Sequence, residues 1–308
     1  MSDQLPELKV DCRNELGEMP LWCQANATLY WIDVTRPGRI FFWRPATDSV
    51  DFWDFPDLVT GLNLTSDGKL LVHSRREILI FSSHTRDAQQ VFSLPSEPES
   101  MRLNDGHCDR AGRLWVGSMP DNLLERPLSA TATQATGQIW AIDGANARSY
   151  DTGFGCPNAI CWSPDGATFY VADSCDGWIY AYDFDCDTGT LSDRREFFRQ
   201  RSLGIPDGAA VDSEGYIWNA RWGAGVVIRI SPSGQLDRVV AMPTLNPTAC
   251  CFGDHDLQTL YCTSARYGLD PQTLRGDHDA GGLFALRVGV PGMPLPTFQF
   301  SGAPRTRP

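Results

Sequence analysis

Short apolar runs recur along the chain, and each closes on a small or polar residue. Six of them share one pattern: 29–33 (LYWID), 70–74 (LLVHS), 114–118 (LWVGS), 169–173 (FYVAD), 217–221 (IWNAR) and 260–264 (LYCTS). Each is rich in β-branched, aromatic or aliphatic residues, the composition of a buried strand. Turn chemistry precedes most of them, at 66–68 (SDG), 111–112 (AG), 163–166 (SPDG) and 213–215 (SEG). Glycine supplies the positive φ of a tight turn, and proline presets φ. A second apolar run follows each: 40–43 (IFFW), 78–81 (ILIF), 139–142 (IWAI), 179–182 (IYAY), 226–229 (VVIR) and 283–286 (LFAL).

The first runs start 41, 44, 55, 48 and 43 residues apart. Six units of several strands at that spacing predict an all-β fold, a six-bladed β-propeller. Amphipathic helical periodicity is hard to find, and the WD40 signature is absent. One propeller domain is expected over 8–300, with 301–308 a frayed tail. Residues 8–12 (LKVDC) are expected to complete the last blade and close the ring. Two units carry insertions, 119–138 and 265–282, rich in Gly, Pro, Ser, Thr and charge. Each is either plain surface loop or a segment that carries binding residues.

The repeat also aligns polar positions. Ten or eleven residues before the first run of each unit stand Glu18, then 58–60, Asn104, Asn158, Asp207 and 248–249. Equivalent positions of a propeller form a ring about its axis, so Glu18, Asn104, Asn158 and Asp207 are expected to converge at one end of the channel. Each stands beside Pro or Gly, in 17–20 (GEMP), 104–106 (NDG), 156–158 (CPN) and 206–208 (PDG). Such residues are common in turns. Four of them in register point instead to a metal or ligand site. Two carboxylates and two amide oxygens suit a hard or borderline cation such as Ca²⁺, Mg²⁺ or Mn²⁺.

Composition narrows the partners. Of 308 residues, 42% are hydrophobic and 21% charged, which excludes a disordered chain. The net charge of −12, with no basic cluster, argues against nucleic acid. No apolar run reaches the ~20 residues of a membrane helix. The first residues (MSDQLPE) lack the apolar core of a secretory signal, and the ten cysteines are scattered without a CxxC pair. Reduced thiols in a cytoplasmic protein are expected. There is no G-x-S-x-G elbow, no Walker A motif, and no paired histidine motif. His107, close after Asn104, is read as local structure, and Trp22 as core.

At these residues the sequence resembles the SMP-30/gluconolactonase/regucalcin family. The matching motifs are 17–22 (GEMPLW), 102–106 (RLNDG), 157–160 (PNAI) and 206–208 (PDG), within a likeness that runs from about 10 to 290. The resemblance implies a six-bladed propeller with one divalent metal ion on its axis and hydrolysis of sugar lactones. It implies Glu18, Asn158 and Asp207 as metal ligands and Asp207 as general base. It implies Arg102 and Asn104 as substrate contacts, with Asn104 able to reach the metal through water. The insertion that begins at Met119 falls where the family lays a loop over the sugar. Many relatives carry Glu there, and this chain offers Asp121 and Asn122. Met19 replaces a common Gly or Cys.

The function expected is hydrolysis of an aldonolactone in intracellular sugar oxidation. The metal is left open among Ca²⁺, Zn²⁺, Mn²⁺, Mg²⁺ and Fe²⁺, and the partner expected is a small sugar lactone. A phosphotriesterase or broader esterase on a similar propeller is the alternative from the same chemistry. A non-catalytic metal-binding scaffold is the alternative from another class. A closed propeller hides its sheet edges, so a monomer is allowed.

Overall fold

The computed structural model describes residues 5–94, 99–123, 135–144 and 146–299. Six four-stranded antiparallel sheets follow one another along the chain as the blades of a propeller. The first apolar run of every unit is the second strand of its blade, and the second run is the third strand. Gly68, Gly112, Gly166 and Gly215 of the predicted turns all have positive φ. The innermost strands of blades 1 to 6 are Gly17–Cys23, Val59–Leu64, Met101–Cys108, Pro157–Trp162, Ile205–Val211 and Pro247–Gly253. The outermost strands, such as Ser49–Phe55 and Thr190–Phe198, are mostly exposed, because one edge and much of both faces meet water.

The ring closes as the N-terminal pattern predicts. Strand Glu7–Val10 pairs antiparallel with Leu283–Arg287, with Leu8 opposite Phe284. The first ordered strand thus becomes the outer strand of blade 6, and the two ends of the ring are tied by main-chain hydrogen bonds. The buried apolar side chains fall into six clusters, one between each pair of neighbouring blades. Trp22 belongs to the cluster between blades 6 and 1, where it stacks on Tyr261 at 6.1 Å. Trp115 and Trp218 are fully buried in second strands. Their indole N–H groups donate to Asp109 and Asp212, both at 2.9 Å. Each of these aspartates also accepts backbone N–H groups of the adjoining turn, so one carboxylate ties turn to core.

Beyond the last strand the chain does not leave the propeller. Residues 291–299 cross the end of the channel where the innermost strands finish. Met293 N–H donates to Val211 O at 3.1 Å, Phe298 N–H to Leu64 O at 2.7 Å, and Gln299 N–H to Gly112 O at 3.0 Å. This strap touches blades 5, 2 and 3 in turn and roofs a small cavity of about 90 Å³. Phe298 is its anchor, 1% exposed in the core between blades 2 and 3. Phe298→Ala is expected to cost about 3–5 kcal/mol, read as a lower guanidinium midpoint at unchanged m. The expected tail at 301–308 lies outside the described residues, as do 124–134 of the first insertion.

Candidate active site

Each innermost strand changes register near its start. The shifts fall between Glu18 and Leu21, Val59 and Gly61, Leu103 and Gly106, Asn158 and Cys161, Pro206 and Ala209, and Pro247 and Cys250. A bulge opposes extra residues to fewer on the partner strand, bends the strand and re-aims side chains. Thr60, Asn104, Asp207 and Thr248 lie inside the bulges, and Glu18 and Asn158 are the last paired residues before theirs; all six fall at the positions aligned by the repeat. Met19 and Ala159, just after Glu18 and Asn158, take left-handed φ values of 49° and 53°. That backbone suits glycine best, which gives a physical reason for a small residue at the Met19 position. The Met19 side chain turns away into the core between blades 1 and 2.

The polar residues that end the second strands hold these bulges in place. Asp33 accepts the N–H groups of Leu16 and Glu15, at 2.8 and 3.2 Å, just before Glu18. Asp173 accepts those of Gly155 and Cys156, at 2.8 and 3.0 Å, just before Asn158. Arg221 does the same with opposite polarity, donating to the carbonyls of Gln200, Leu203 and Gly204 ahead of Asp207.

Glu18, Arg102, Asn104, Asn122, Asn158 and Asp207 all line one cavity of about 250 Å³ at the end of the channel opposite the strap. Asn104 Nδ2 donates to Asn158 Oδ1 and to Pro157 O, both at 2.9 Å. Arg102 Nη1 donates to Asn104 Oδ1 at 2.7 Å and to Leu103 O at 3.0 Å. Its Nε and Nη2 both reach Asn122 Oδ1, at 3.3 and 3.1 Å. The Asn158 amide has a fixed orientation. Its Nδ2 donates to Ser174 Oγ at 2.8 Å, and that hydroxyl donates to Pro206 O at 2.6 Å. Ser174 is therefore the acceptor, and the Asn158 oxygen is the atom turned to Asn104.

Burial raises the Glu18 carboxyl well above its ordinary value, and the carboxylates of Asp207 and Asp105 push it higher. Asp207 is raised by burial and then by Asp105. Asp105 itself is raised by burial. Its Oδ2 accepts Ile160 N–H at 2.9 Å, while its Oδ1 is buried without a hydrogen-bond partner among the described residues. Three mutually repelling carboxyl groups in a buried ring are costly unless a cation compensates them. A divalent ion fits that need, with Glu18, Asp207 and the Asn158 amide oxygen as a hard, all-oxygen donor set. Among the described residues no group of three or more His, Cys, Asp or Glu side chains could hold an ion.

Asp121 does not line this cavity. Its side chain has no exposed area and its Oδ2 is 2.7 Å from Arg75 Nε, with Arg36 Nη2 at 3.9 Å. The carboxylate expected to meet substrate instead ties the base of the insertion to blades 2 and 1, and Asn122 beside it faces the cavity. The repeat's register marks one position per blade and so does not mark Asp105, which lies beside Asn104 inside the blade 3 bulge. Trp222 and Tyr267 also line the cavity, and only the placement of Tyr267 in the second insertion hinted at it. His107 reaches the cavity at the opposite end of the channel.

The family model for the SMP-30/gluconolactonase/LRE-like region matches residues 16–266. Rabbit (Oryctolagus cuniculus) regucalcin is 30% identical over 97% of this chain and 100% of its own. The 6-deoxy-6-sulfogluconolactonase of Pseudomonas putida is 35% identical over 92% of this chain and 94% of its own. The crystal structure of regucalcin from Agrobacterium tumefaciens, described as a calcium-binding protein, superposes with a TM-score of 0.89. It is 27% identical and covers 96% of this chain and 97% of that one.

Proposed function

The chain belongs to the SMP-30/gluconolactonase/LRE-like family, and from that premise we propose that it hydrolyses a sugar lactone to the aldonic acid with one bound divalent cation. The observation that carries this reading is the convergence of Glu18, Asn158 and Asp207 with the buried guanidinium of Arg102 in one cavity. A scaffold that only bound a metal would have no use for a buried fork of donors beside it. The sulfogluconolactonase relative supports the substrate class, and the calcium-binding neighbour supports a divalent ion.

Glu18, Asp207 and Asn158 Oδ1 would hold the ion. When bound, it would supply Lewis acidity toward a carbonyl oxygen and lower the pKa of water. Hydrolysis adds water across the ring ester: a C–O bond forms at the carbonyl carbon, the ring C–O bond breaks, and the ring oxygen leaves with a proton. Asp207 takes the proton of the attacking water and returns one to the leaving alkoxide. Among the described residues Arg102 makes four protein contacts that leave one Nη2 N–H, which it offers to a substrate oxygen. Asn104 locks Arg102 and Asn158 in mutual register. Asn122 steadies the other edge of the guanidinium.

The test is pH-stat hydrolysis of pentono- and hexonolactones after chelation and with each divalent ion restored, the spontaneous rate subtracted. Metal-restored turnover is expected. Turnover of a phosphotriester but no lactone would move the assignment to the broader esterase chemistry. Metal binding without turnover of either would move it to a scaffold.

A further inference from the structure

Resting on the lactonase reading, we propose that the second insertion is a substrate-recognition element: Tyr267 donates its hydroxyl to a sugar hydroxyl oxygen, and Trp222 packs against the sugar's C–H face. Blades 3 and 6 lie diametrically opposite in a six-membered ring. Arg102 and Asn122 come from blade 3 and Tyr267 from the insertion of blade 6, yet all three line one cavity. A substrate held over the axis is therefore gripped from both sides.

Tyr267 is built into place. Its N–H donates to Glu15 O at 2.7 Å, and its carbonyl accepts Asn246 Nδ2 at 3.0 Å. The same Asn246 side chain accepts Gly223 N–H at 3.1 Å, so one buried amide fixes both Tyr267 and the turn after Trp222. The two rings meet edge-on at 6.1 Å and 61°. Gly268 has φ +77°, and a Cβ there would stand 3.2 Å from the Trp222 ring. Farther along, Asp277 Oδ2 accepts Thr244 Oγ1 and Leu245 N–H, both at 2.9 Å. A helix, Pro271–Gly276, is capped by Asp270. The insertion is an anchored wall.

Within that wall the Tyr267 hydroxyl is an anomaly. The residue is 7% exposed, and its oxygen is buried with no hydrogen-bond partner among the described residues. An unpaired buried hydroxyl destabilises the empty protein, whereas the hydroxyls of Tyr261 and Tyr182 are paired, with Asp254 and Asp151. Arg102 is close enough for its charge to act on the phenol. The exception is explained if substrate supplies the partner. A lactone stripped of hydroxyls would leave the donor unsatisfied, and sites of this kind discriminate strongly against such analogues.

Tyr267→Phe keeps the ring and the backbone clamps. Its expected result is a fall of roughly tenfold or more in the ratio of kcat/KM for a pentonolactone to that for an unsubstituted lactone of equal ring size. The fall should lie mainly in KM, with a melting temperature no lower than wild type. Trp222→Leu should raise KM for the sugar lactone about three- to tenfold. Calorimetric binding of the aldonate product is the readout that needs no turnover. Normal hydrolysis with an unchanged ratio in Tyr267→Phe overturns this proposal alone. Absent hydrolysis with aldonate binding weakened in Tyr267→Phe overturns the lactonase reading and leaves the recognition wall standing. Neither hydrolysis nor aldonate binding by the wild-type chain overturns both.

Discussion

Asp207→Ala is expected to remove lactone hydrolysis and divalent-cation binding in one step, with kcat/KM falling about 10³-fold or more. The size follows from two losses at one side chain. The variant loses a donor from a three-donor set, and it loses the group that accepts the water proton. The variant should nonetheless fold. In the metal-free protein Asp207 is a buried carboxyl raised by burial and by Asp105, so deleting it relieves repulsion and leaves only a small gap at the wall of an existing cavity. A chelated Asp207→Ala protein should melt no lower than chelated wild type. Stability traded for function is the usual mark of a working site. Full lactonase activity in Asp207→Ala, or tight cation binding measured by calorimetry, would sink the assignment.

The propeller was legible because its signal repeats. Six apolar runs, four of them preceded by turn residues, define strands whose mutual spacing fixes the blade count. The site ring was legible for the same reason: Glu18, Asn104, Asn158 and Asp207 occupy one register position. What the repeat could not carry was any feature that breaks it. Asp105 turns inward only because the blade 3 bulge spans Leu103 to Gly106. Asp121 looks like a substrate ligand in a loop, but the loop's first residues run along the blade and deliver it to Arg75. The direction of a side chain after a strand end is set by the neighbouring blade, and no local pattern encodes that. Tyr267 enters the cavity through an insertion that only blades 3 and 6 carry, so the six-fold repeat does not predict it. The polar strand ends had a meaning that composition hid. Asp33, Asp173 and Arg221 look like the close of a strand, yet they hold the loop that aims the next functional residue.

Chelated protein is expected to lose stability as pH rises above the ordinary carboxylate range, and a divalent cation should abolish that loss. The sign follows from Glu18 and Asp207. Both carry raised pKa values in the folded, metal-free state, from burial first and neighbouring carboxylates second. The folded chain therefore holds protons that the unfolded chain has released. Stability is complete below the ordinary carboxyl values and falls as pH climbs from there through the raised folded values. A bound divalent ion reverses the preference, because it favours the ionised carboxylates. Its stabilisation should thus grow with pH over the same window, reaching about 2.7 kcal/mol at a free concentration of 100 Kd. Melting curves from pH 5 to 8, in chelator and in each divalent ion, measure this directly. Two diverging lines are expected for wild type. Asp207→Asn should flatten the chelator line and shrink the gap, since one of the two repelling carboxyls is gone. Parallel lines for wild type would mean that the cation binds away from Glu18 and Asp207.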